Sequence, residues 1–206
     1  MKLTVKKGNG DKIHLHIDSE YFMTVDEAYF VSLGLKDGYD IDESCLAELR
    51  EKISCRRVYN QAVSILSRRD HSCKELEEKL KLRGMGEYSR YAVSRLVEQG
   101  YLDDERFAAS YSRELIRLKG YGRRRVEQEL YRKGIDRDII CAVLHECEFP
   151  SERLTELIER KYSKYLDNEK GVNKTVNALL RLGYSYGEIK DSLKEIADRE
   201  VEGADE

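Results

Sequence analysis

Few residues in this sequence have the types and spacing that catalysis or metal binding requires. Asp103-Asp104-Glu105 presents three neighbouring carboxylates. Cys141 and His145 are four residues apart on one face of a predicted helix, close to Cys147, and such side chains can bind a metal. The carboxylates precede a predicted helix, where negative charge stabilises the positive end of the helix dipole, so we interpret them as capping residues. The cysteines and the histidine lack a fourth ligand, and reduced structural cysteines are the better interpretation.

The common catalytic and cofactor-binding motifs do not occur in the sequence. It contains no GxxxxGK[ST] phosphate loop, no GxSxG elbow and no HExxH motif. The two GxG steps, Gly84-Met85-Gly86 and Gly120-Tyr121-Gly122, are interpreted as helix ends, because glycine readily adopts the left-handed conformation found there. We therefore expect no catalytic residue, no cofactor and no metal site.

Clustered basic residues are better candidates for a functional surface. Three consecutive arginines, Arg123 to Arg125, span most of the circumference of a predicted helix, so they cannot all be buried. They lie at its start, where the helix dipole disfavours cations, which suggests that they bind a phosphate or carboxylate group of a partner. The alternative is a solvated helix start that pairs with Glu127 and Glu129. The candidate partner-binding residues are Arg68, Arg69, Lys119, Arg123, Arg124 and Arg125.

Charge is unevenly distributed along the chain. The 206 residues have a formal net charge of -3, but residues 50–140 are net basic (+7), whereas residues 1–49 and 141–206 are each net acidic (-5). A basic middle region can attract a polyanion or an acidic protein. The longest apolar run, Ile139–Leu144, is far shorter than the ~20 residues of a membrane-spanning helix, and Met1–Lys7 lacks the apolar stretch of a secretory signal. We expect a cytoplasmic protein without membrane contact.

A repeated pattern begins after residue 51. Residues 72–85 align with residues 122–135 at an offset of 50, and a looser third copy follows at an offset of 49. Each copy divides into three helices, and fixed-period similarity of this kind is typical of tandem structural units. The matched positions are Leu76/Val126, Leu80/Leu130/Leu179, Gly84/Gly134/Gly183 and Ala92/Ala142. Helix starts are predicted at Ser72, Asp103, Asp136, Ser151, Asn173 and Ser185.

The repeats predict a mainly α fold in which three three-helix bundles form an elongated, curved array. The repeats are placed at residues 51–102, 103–148 and 149–206, the last ending in an acidic tail. Residues 1–50 are predicted to form a small α/β unit. Within it, two segments alternate with period two around an Asn-Gly turn, as in a β-hairpin, and residues 19–33 are predicted to be helical or mixed.

A series of motifs runs through roughly residues 55–200. It consists of Leu66-Ser67-Arg68-Arg69 before Ser72-x-x-Glu75-Leu76, Gly100-Tyr101-Leu102-Asp103-Asp104-Glu105-Arg106-Phe107-Ala108, Gly120-Tyr121-Gly122, Arg125-Val126-x-x-Glu129-Leu130-x-x-Lys133-Gly134-Ile135 and Arg181-Leu182-Gly183-Tyr184-Ser185-Tyr186-x-x-Ile189. Joined in this order, the motifs are far more specific than any one of them alone. The series resembles the bacterial RecX family of regulatory proteins.

The resemblance implies a non-catalytic modulator of the RecA recombinase. Family members bind along the RecA–DNA filament and alter its assembly or disassembly, strand exchange and ATP hydrolysis in DNA repair and the SOS response. Members are often net basic, whereas this chain is net acidic, so we expect it to contact RecA first and to bind DNA weakly. We also expect a monomer. Two alternatives stay open: a stand-alone nucleic-acid-binding helical module, and a helical-repeat scaffold for another protein.

Overall fold

The structure is a computed structural model that describes the backbone of residues 1–202 and the side chains of residues 1–199. The acidic tail predicted for the end of the chain lies outside the described residues. Within them, a small antiparallel sheet precedes ten α-helices. The prediction of a mainly α fold with a small β-containing N-terminal unit is therefore confirmed.

The sheet has three strands in chain order, β1 (Leu3–Lys7), β2 (Lys12–Ile17) and β3 (Glu20–Asp26). The predicted hairpin of the first two strands is confirmed. The segment predicted to be helical or mixed is mixed, because it begins with the third strand before a short helix. Asp18 and Ser19 have left-handed φ angles of 48° and 75°, and they form the two-residue turn that pairs β3 with β2.

One long helix connects the sheet to the first bundle. After the short α1 (Glu27–Ser32), helix α2 (Glu43–Leu66) continues for 24 residues. Its first half buries Leu49 and Ile53 against the sheet, and its second half belongs to the next hydrophobic core through Val58, Ala62 and Ile65. The unit boundary predicted at residue 50 thus falls within a helix that both units share.

Eight further helices complete the three bundles. They are α3 (Cys73–Leu82), α4 (Ser89–Glu98), α5 (Asp104–Glu114), α6 (Arg123–Arg132), α7 (Arg137–Glu146), α8 (Ser151–Tyr162), α9 (Glu169–Arg181) and α10 (Tyr186–Glu202). The first unit contains the second half of α2 with α3 and α4. The second unit contains α5 to α7, and the third contains α8 to α10. A π-helical turn (Leu115–Lys119) extends α5, and a 3-10 turn (Ser163–Tyr165) extends α8.

The matched glycines end equivalent helices in all three units. Gly84, Gly134 and Gly183 follow α3, α6 and α9 with φ angles of 72°, 76° and 94°. In each case the next amide donates to the carbonyl five residues earlier, at 3.0, 3.2 and 3.3 Å. This is the bonding pattern of a glycine-terminated helix end. It confirms that one three-helix module is repeated along the chain.

Two details of the predicted repeat are wrong. Ala92 is fully buried, but Ala142 is exposed and Val143 takes the buried position. The third helices are out of register because six residues (83–88) connect α3 to α4, whereas four (133–136) connect α6 to α7. The cap of α9 is Asn168, whose side chain accepts a hydrogen bond from the Gly171 amide, and the predicted cap Asn173 lies inside that helix.

Each unit has a separate hydrophobic core, as does the N-terminal sheet. A compact monomer of 24.0 kDa exposes about 9,900 Å², whereas this chain exposes 13906 Å². The excess surface is what small cores arranged in a row produce, and it agrees with an elongated array.

The two interfaces between neighbouring three-helix units are built from the same two structural elements, a turn and a helix start. The glycine-ended turn of the later unit packs on the start of the second helix of the earlier unit. At the first interface the Ser72 hydroxyl donates to the Lys133 carbonyl at 2.6 Å. At the second, the Gly122 amide donates to the Leu182 carbonyl at 2.8 Å. The recurrence of this contact is what makes the array regular.

Candidate binding cleft between the second and third units

A cleft of about 680 Å³ lies between the second and third units. The π-helical turn and Gly120 border it on one side, and α8 borders it on the other. Tyr184 of the third unit also lines the cleft, and its hydroxyl donates to the Gly120 carbonyl at 3.1 Å. Burial raises the pKa of Tyr184, so this hydroxyl stays protonated and the bond joins the two units at neutral pH.

The π-helical turn Leu115–Lys119 shapes one wall of the cleft. It continues α5 without a break and ends at Gly120, which adopts the left-handed conformation. Leu115 is buried in the core of the second unit, whereas Arg117 and Lys119 are exposed and line the cleft. π-Helical turns are rare and occur frequently at functional sites. Here the turn places two cations at the mouth of the cleft.

The cleft is strongly basic. Its cationic side chains are Arg117, Lys119, Arg153, Arg160 and Lys161, and its acidic ones are Glu156 and Glu159. Among the described side chains, none of these cations forms an ion pair. Glu159 is already paired with Arg199 at 3.4 Å. Unpaired charges of one sign along a cleft attract a ligand of the opposite sign.

The lining favours binding over chemistry. The guanidinium groups of Arg117, Arg153 and Arg160 can each hold a phosphate or a carboxylate through two parallel hydrogen bonds. Leu118, which is 62% exposed, and Tyr121 add apolar surface beside these charges. The described residues that line the cleft include no cysteine, histidine, serine or aspartate. The arrangement can therefore hold an anionic segment.

Two of the three clustered arginines have structural partners. Arg123 donates from Nη1 to the Leu144 carbonyl at 2.9 Å, at the end of α7, where a cation opposes the negative end of the helix dipole. Arg125 pairs with Glu129 at 2.7 Å. These contacts explain why cations are tolerated at the start of α6. The sequence-based argument for an external partner is therefore weaker at these two positions.

The other predicted binding residues divide between the cleft and the open surface. Lys119 lies in the cleft. Arg124 and Arg68 are exposed and make no side-chain ion pair among the residues described. Arg69 donates to the Asp70 carbonyl at 2.8 Å and contacts Glu75 at 3.4 Å. Their roles in binding stay predictions.

Four cleft cations were not predicted from the sequence: Arg117, Arg153, Arg160 and Lys161. The sequence contains a spacing pattern that could have identified three of them. Arg153 and Arg160 are seven residues apart, which is close to two helical turns, so they share one face of α8 with Lys161 beside them. Arg117 had no comparable signal, because its direction depends on the π-helical turn.

Asp103 and Asp104 both cap helices, which supports the capping interpretation. Asp103 accepts a hydrogen bond from the Arg106 amide at 2.9 Å, at the start of its own helix α5. Asp104 accepts from the Cys73 amide at 2.8 Å, and so it caps α3 of the preceding unit. The carboxylates therefore stabilise one helix start each, and Asp104 also joins two units.

Cys73 and Cys147 lie in surroundings that disfavour the thiolate. Burial raises the pKa of Cys73 to about 12, and Asp104 adds to this effect. Burial also raises the pKa of Cys147. Within the described part of the chain, no group of three or more His, Cys, Asp or Glu side chains is placed to hold a metal.

Comparison with known proteins agrees with the repeat structure. Residues 59–96 match the family model for the first three-helix domain of RecX, and residues 103–144 match that for the second. Regulatory protein RecX of Caldanaerobacter subterraneus subsp. tengcongensis is 30% identical over 190 residues, covering 92% of this chain and 95% of that protein. The chain belongs to the RecX family.

A further RecX sequence and two RecX crystal structures are also similar to this chain. Regulatory protein RecX of Bacillus licheniformis is 28% identical over 211 residues, covering 99% of this chain and 80% of that protein. A crystal structure of regulatory protein RecX shares the fold with a TM-score of 0.69 at 24% identity, covering 92% of this chain and 97% of that one. The crystal structure of RecX from Lactobacillus salivarius gives a TM-score of 0.61 at 25% identity over 71% of this chain and 98% of that one.

The RecX assignment gives the chain a regulatory role, because its relatives are named regulatory proteins. The two matched RecX domains correspond to the first and second units of the structure. The cleft therefore lies between the second RecX domain and the unit that follows it. Within residues 1–202, no helix is both long enough and apolar enough to cross a membrane.

Proposed function

We propose that the chain regulates the RecA recombinase by binding along the RecA–DNA filament. It acts in the cytoplasm as a monomer, and it modulates filament assembly or disassembly, strand exchange and ATP hydrolysis without catalysing a reaction itself. The observation that carries this proposal, beside membership of the RecX family, is the cleft lined by five cations, none of which pairs with an acidic side chain of residues 1–199. A filament on DNA presents carboxylates and phosphates at regular intervals, and both groups match the cleft.

The arrangement of the units suggests how binding changes the filament. Four small cores in a row can contact more than one filament subunit. Each unit adds a modest contact, and linkage in one chain multiplies the effect of these contacts. A bridge that fits one subunit spacing better than another shifts the filament toward that spacing by the difference in affinity.

The cleft supports a second candidate function, direct binding to DNA without RecA. Its cations would then neutralise DNA phosphates, and affinity would fall steeply as the salt concentration rises. A scaffold for another protein, by contrast, would leave RecA unaffected. We favour RecA as the first contact, because the chain as a whole is net acidic and would be repelled by DNA at a distance.

One pair of assays separates these functions. The first measures the single-strand-dependent ATPase of RecA with and without the chain, and the second measures a DNA mobility shift without RecA. We expect the chain to change the ATPase at concentrations about tenfold below those that shift DNA. A DNA shift at equal or lower concentration would favour the nucleic-acid module, and no change in the ATPase would favour the scaffold.

Charge variants assign the effect to the cleft. Replacing Arg117, Arg153 and Arg160 together by Ala should raise the concentration for half-maximal effect by about tenfold or more. Replacing Arg137, Lys170 and Lys190 together by Ala is the matched control, because these three cations are exposed and do not line the cleft. The series also includes three exposed residues that the sequence predicts to bind a partner, with the variants Lys119→Ala, Arg124→Ala and Arg68→Ala. Equal effects of the triple variant and the control would remove the cleft from the interface.

A further inference from the structure

The glycine-ended turn is covered by a neighbouring unit at two of its three occurrences. In the second unit Lys133 and Gly134 are half-buried, and in the third unit Gly183 is buried. A Cβ atom added to Gly134 would overlap the side chain of Lys74, and one added to Gly183 would overlap the backbone nitrogen of Arg125. Each turn thus packs closely on the start of the second helix of the preceding unit.

The groups that meet at these two interfaces are of the same kinds. Backbone carbonyls of the turn accept hydrogen bonds from the start of a helix, from the Ser72 hydroxyl at one interface and from the Gly122 amide at the other. At the first interface the Lys133 ammonium group also pairs with Glu75, in the first turn of α3. The turn is therefore a receptor for a helix start that has a small residue at its cap.

The corresponding turn of the first unit has no such neighbour. Arg83 and Gly84 are exposed, whereas the corresponding Lys133 and Gly134 are half-buried. Leu82, just before them, is 87% exposed. No described atom lies within 4 Å of a Cβ atom added to Gly84. Gly84 nevertheless has the left-handed φ of 72° that its counterparts have, so the turn is already in the docking conformation.

We propose that residues 82–85 are a docking surface for the start of a helix on the regulated protein. This helix has a small residue at its cap and a carboxylate in its first turn. The carboxylate is required by charge complementarity. Arg83 occupies the position of Lys133, which binds Glu75 at the internal interface. Lys81 is already paired with Glu77 at 2.6 Å, so Arg83 is the cation that we assign to the contact. This proposal rests on the proposed function, since it places the helix start on RecA in the filament.

A second copy of the chain does not fit this surface by the same contact. The helix starts of α3 and α6 are each occupied by the next unit. The start of α9 is covered by the chain's own 3-10 turn, because a Cβ atom added to Gly171 would overlap the Tyr165 carbonyl oxygen. Among the second helices of the three units, no start is therefore free to receive the first-unit turn of another copy, and we assign the surface to an external protein.

The binding of a helix start to residues 82–85 can be tested without RecA. The probe is a lactam-bridged helical peptide with the sequence of residues 70–82, which contains Ser72 and Glu75, added to the ¹⁵N-labelled full chain. We expect the amide resonances of Gly84 and Met85 to shift while that of Gly134 does not. A peptide with Ser72→Ala and Glu75→Gln should shift them much less. Equal shifts with both peptides, or none at Gly84 and Met85, would overturn the proposal.

The assignment to the filament is tested by titrating labelled full-length chain with RecA–DNA filaments. Arg83→Glu and Leu82→Ser should each weaken binding by about tenfold, whereas the control Arg137→Glu, with the same charge change at an exposed site, should stay within about twofold. Circular dichroism confirms that the variants are folded. Wild-type affinity in both Arg83→Glu and Leu82→Ser would overturn the proposal.

Two other outcomes distinguish this proposal from the proposed function. If the wild-type chain does not bind filaments, the RecA role fails, and the peptide-induced shifts decide whether the turn receives a helix start of another protein. If the molar mass in solution rises with concentration, and Arg83→Glu abolishes the rise, the occupant is a second copy and the filament assignment is wrong.

Discussion

A Cβ atom added to Gly122 would lie 2.6 Å from the carbonyl carbon of Gly183, so the second and third units are in direct backbone contact. Gly122 corresponds to Ser72 of the first unit, where the side-chain hydroxyl reaches the neighbouring turn instead. The φ of Gly122 is -75°, a value open to any residue. Glycine is therefore needed at this position for close approach, and not for a special backbone conformation.

We predict that Gly122→Ala weakens the docking of the third unit. The added methyl group must push the Leu182–Gly183 turn away, and overpacking of this kind costs about 1–3 kcal/mol. Urea unfolding of the full chain measures the loss. Gly187→Ala is the control, because its nearest neighbouring atom is 3.9 Å away and alanine in a helix is favoured over glycine by about 0.5–1 kcal/mol. Unchanged stability of Gly122→Ala would show that the units separate more freely than this packing implies.

Ser72 combines a capping role with a docking role, and the two can be separated. Its hydroxyl accepts from the Glu75 amide and donates to the Lys133 carbonyl. Ser72→Ala should therefore cost about 2 kcal/mol, from a lost cap and an unsatisfied carbonyl. Ser185→Ala should cost about 1 kcal/mol, because Ser185 caps α10 without bonding to another unit. Chemical denaturation of both variants tests the difference, and equal losses would argue against the docking bond.

The sequence predicts those parts of the fold that depend on the conformational preferences and hydrogen bonds of a few neighbouring residues. Gly84, Gly134 and Gly183 could be recognised as helix ends, because a left-handed residue is needed there and glycine adopts it without strain. Ser72 and Asp103 could be recognised as caps for a similar reason. The period of the pattern then gives the number of units, since each unit repeats these signals.

The cleft could not be predicted in the same way. Arg117 and Arg153 come together because the second and third units dock, and the docking depends on the Gly122–Gly183 contact between distant parts of the chain. The three consecutive arginines were the more visible pattern in the sequence. The hydrogen bond from Arg123 to the Leu144 carbonyl depends on the packing of α6 against α7, which no local pattern reveals.

The contact between Glu75 and Lys133 should make stability depend on pH. Burial alone would raise the pKa of Glu75, but hydrogen bonds from Lys133 and Arg69 outweigh it, and the pKa is lowered from 4.5. A carboxylate with a lowered pKa in the folded state stabilises the protein above pH 4.5, and this contribution is lost as the pH falls through the folded value.

The measurement compares urea midpoints from pH 7 down to about pH 3. Glu75→Gln should be less stable than the wild type at pH 7, and the difference should shrink in acid. Glu78→Gln is the control, because Glu78 lies exposed on the same helix. A constant difference between the wild type and Glu75→Gln across this range would mean that the ion pair does not contribute.

Substitution of Arg123 should lower stability and leave filament binding nearly unchanged, whereas substitution of Arg117 should do the reverse. Arg123→Ala removes the hydrogen bond to the Leu144 carbonyl, so we expect a loss of stability of about 1 kcal/mol and filament binding within about twofold of the wild type. Arg117 is exposed and forms no ion pair with the side chains that the structure describes, so Arg117→Ala should leave stability within about 0.5 kcal/mol and weaken binding by several-fold. Urea unfolding and filament titration of the same two preparations provide both values. If Arg123→Ala weakens binding as much as Arg117→Ala at unchanged stability, then Arg123 contacts the partner, and the interface extends from the cleft onto the start of α6.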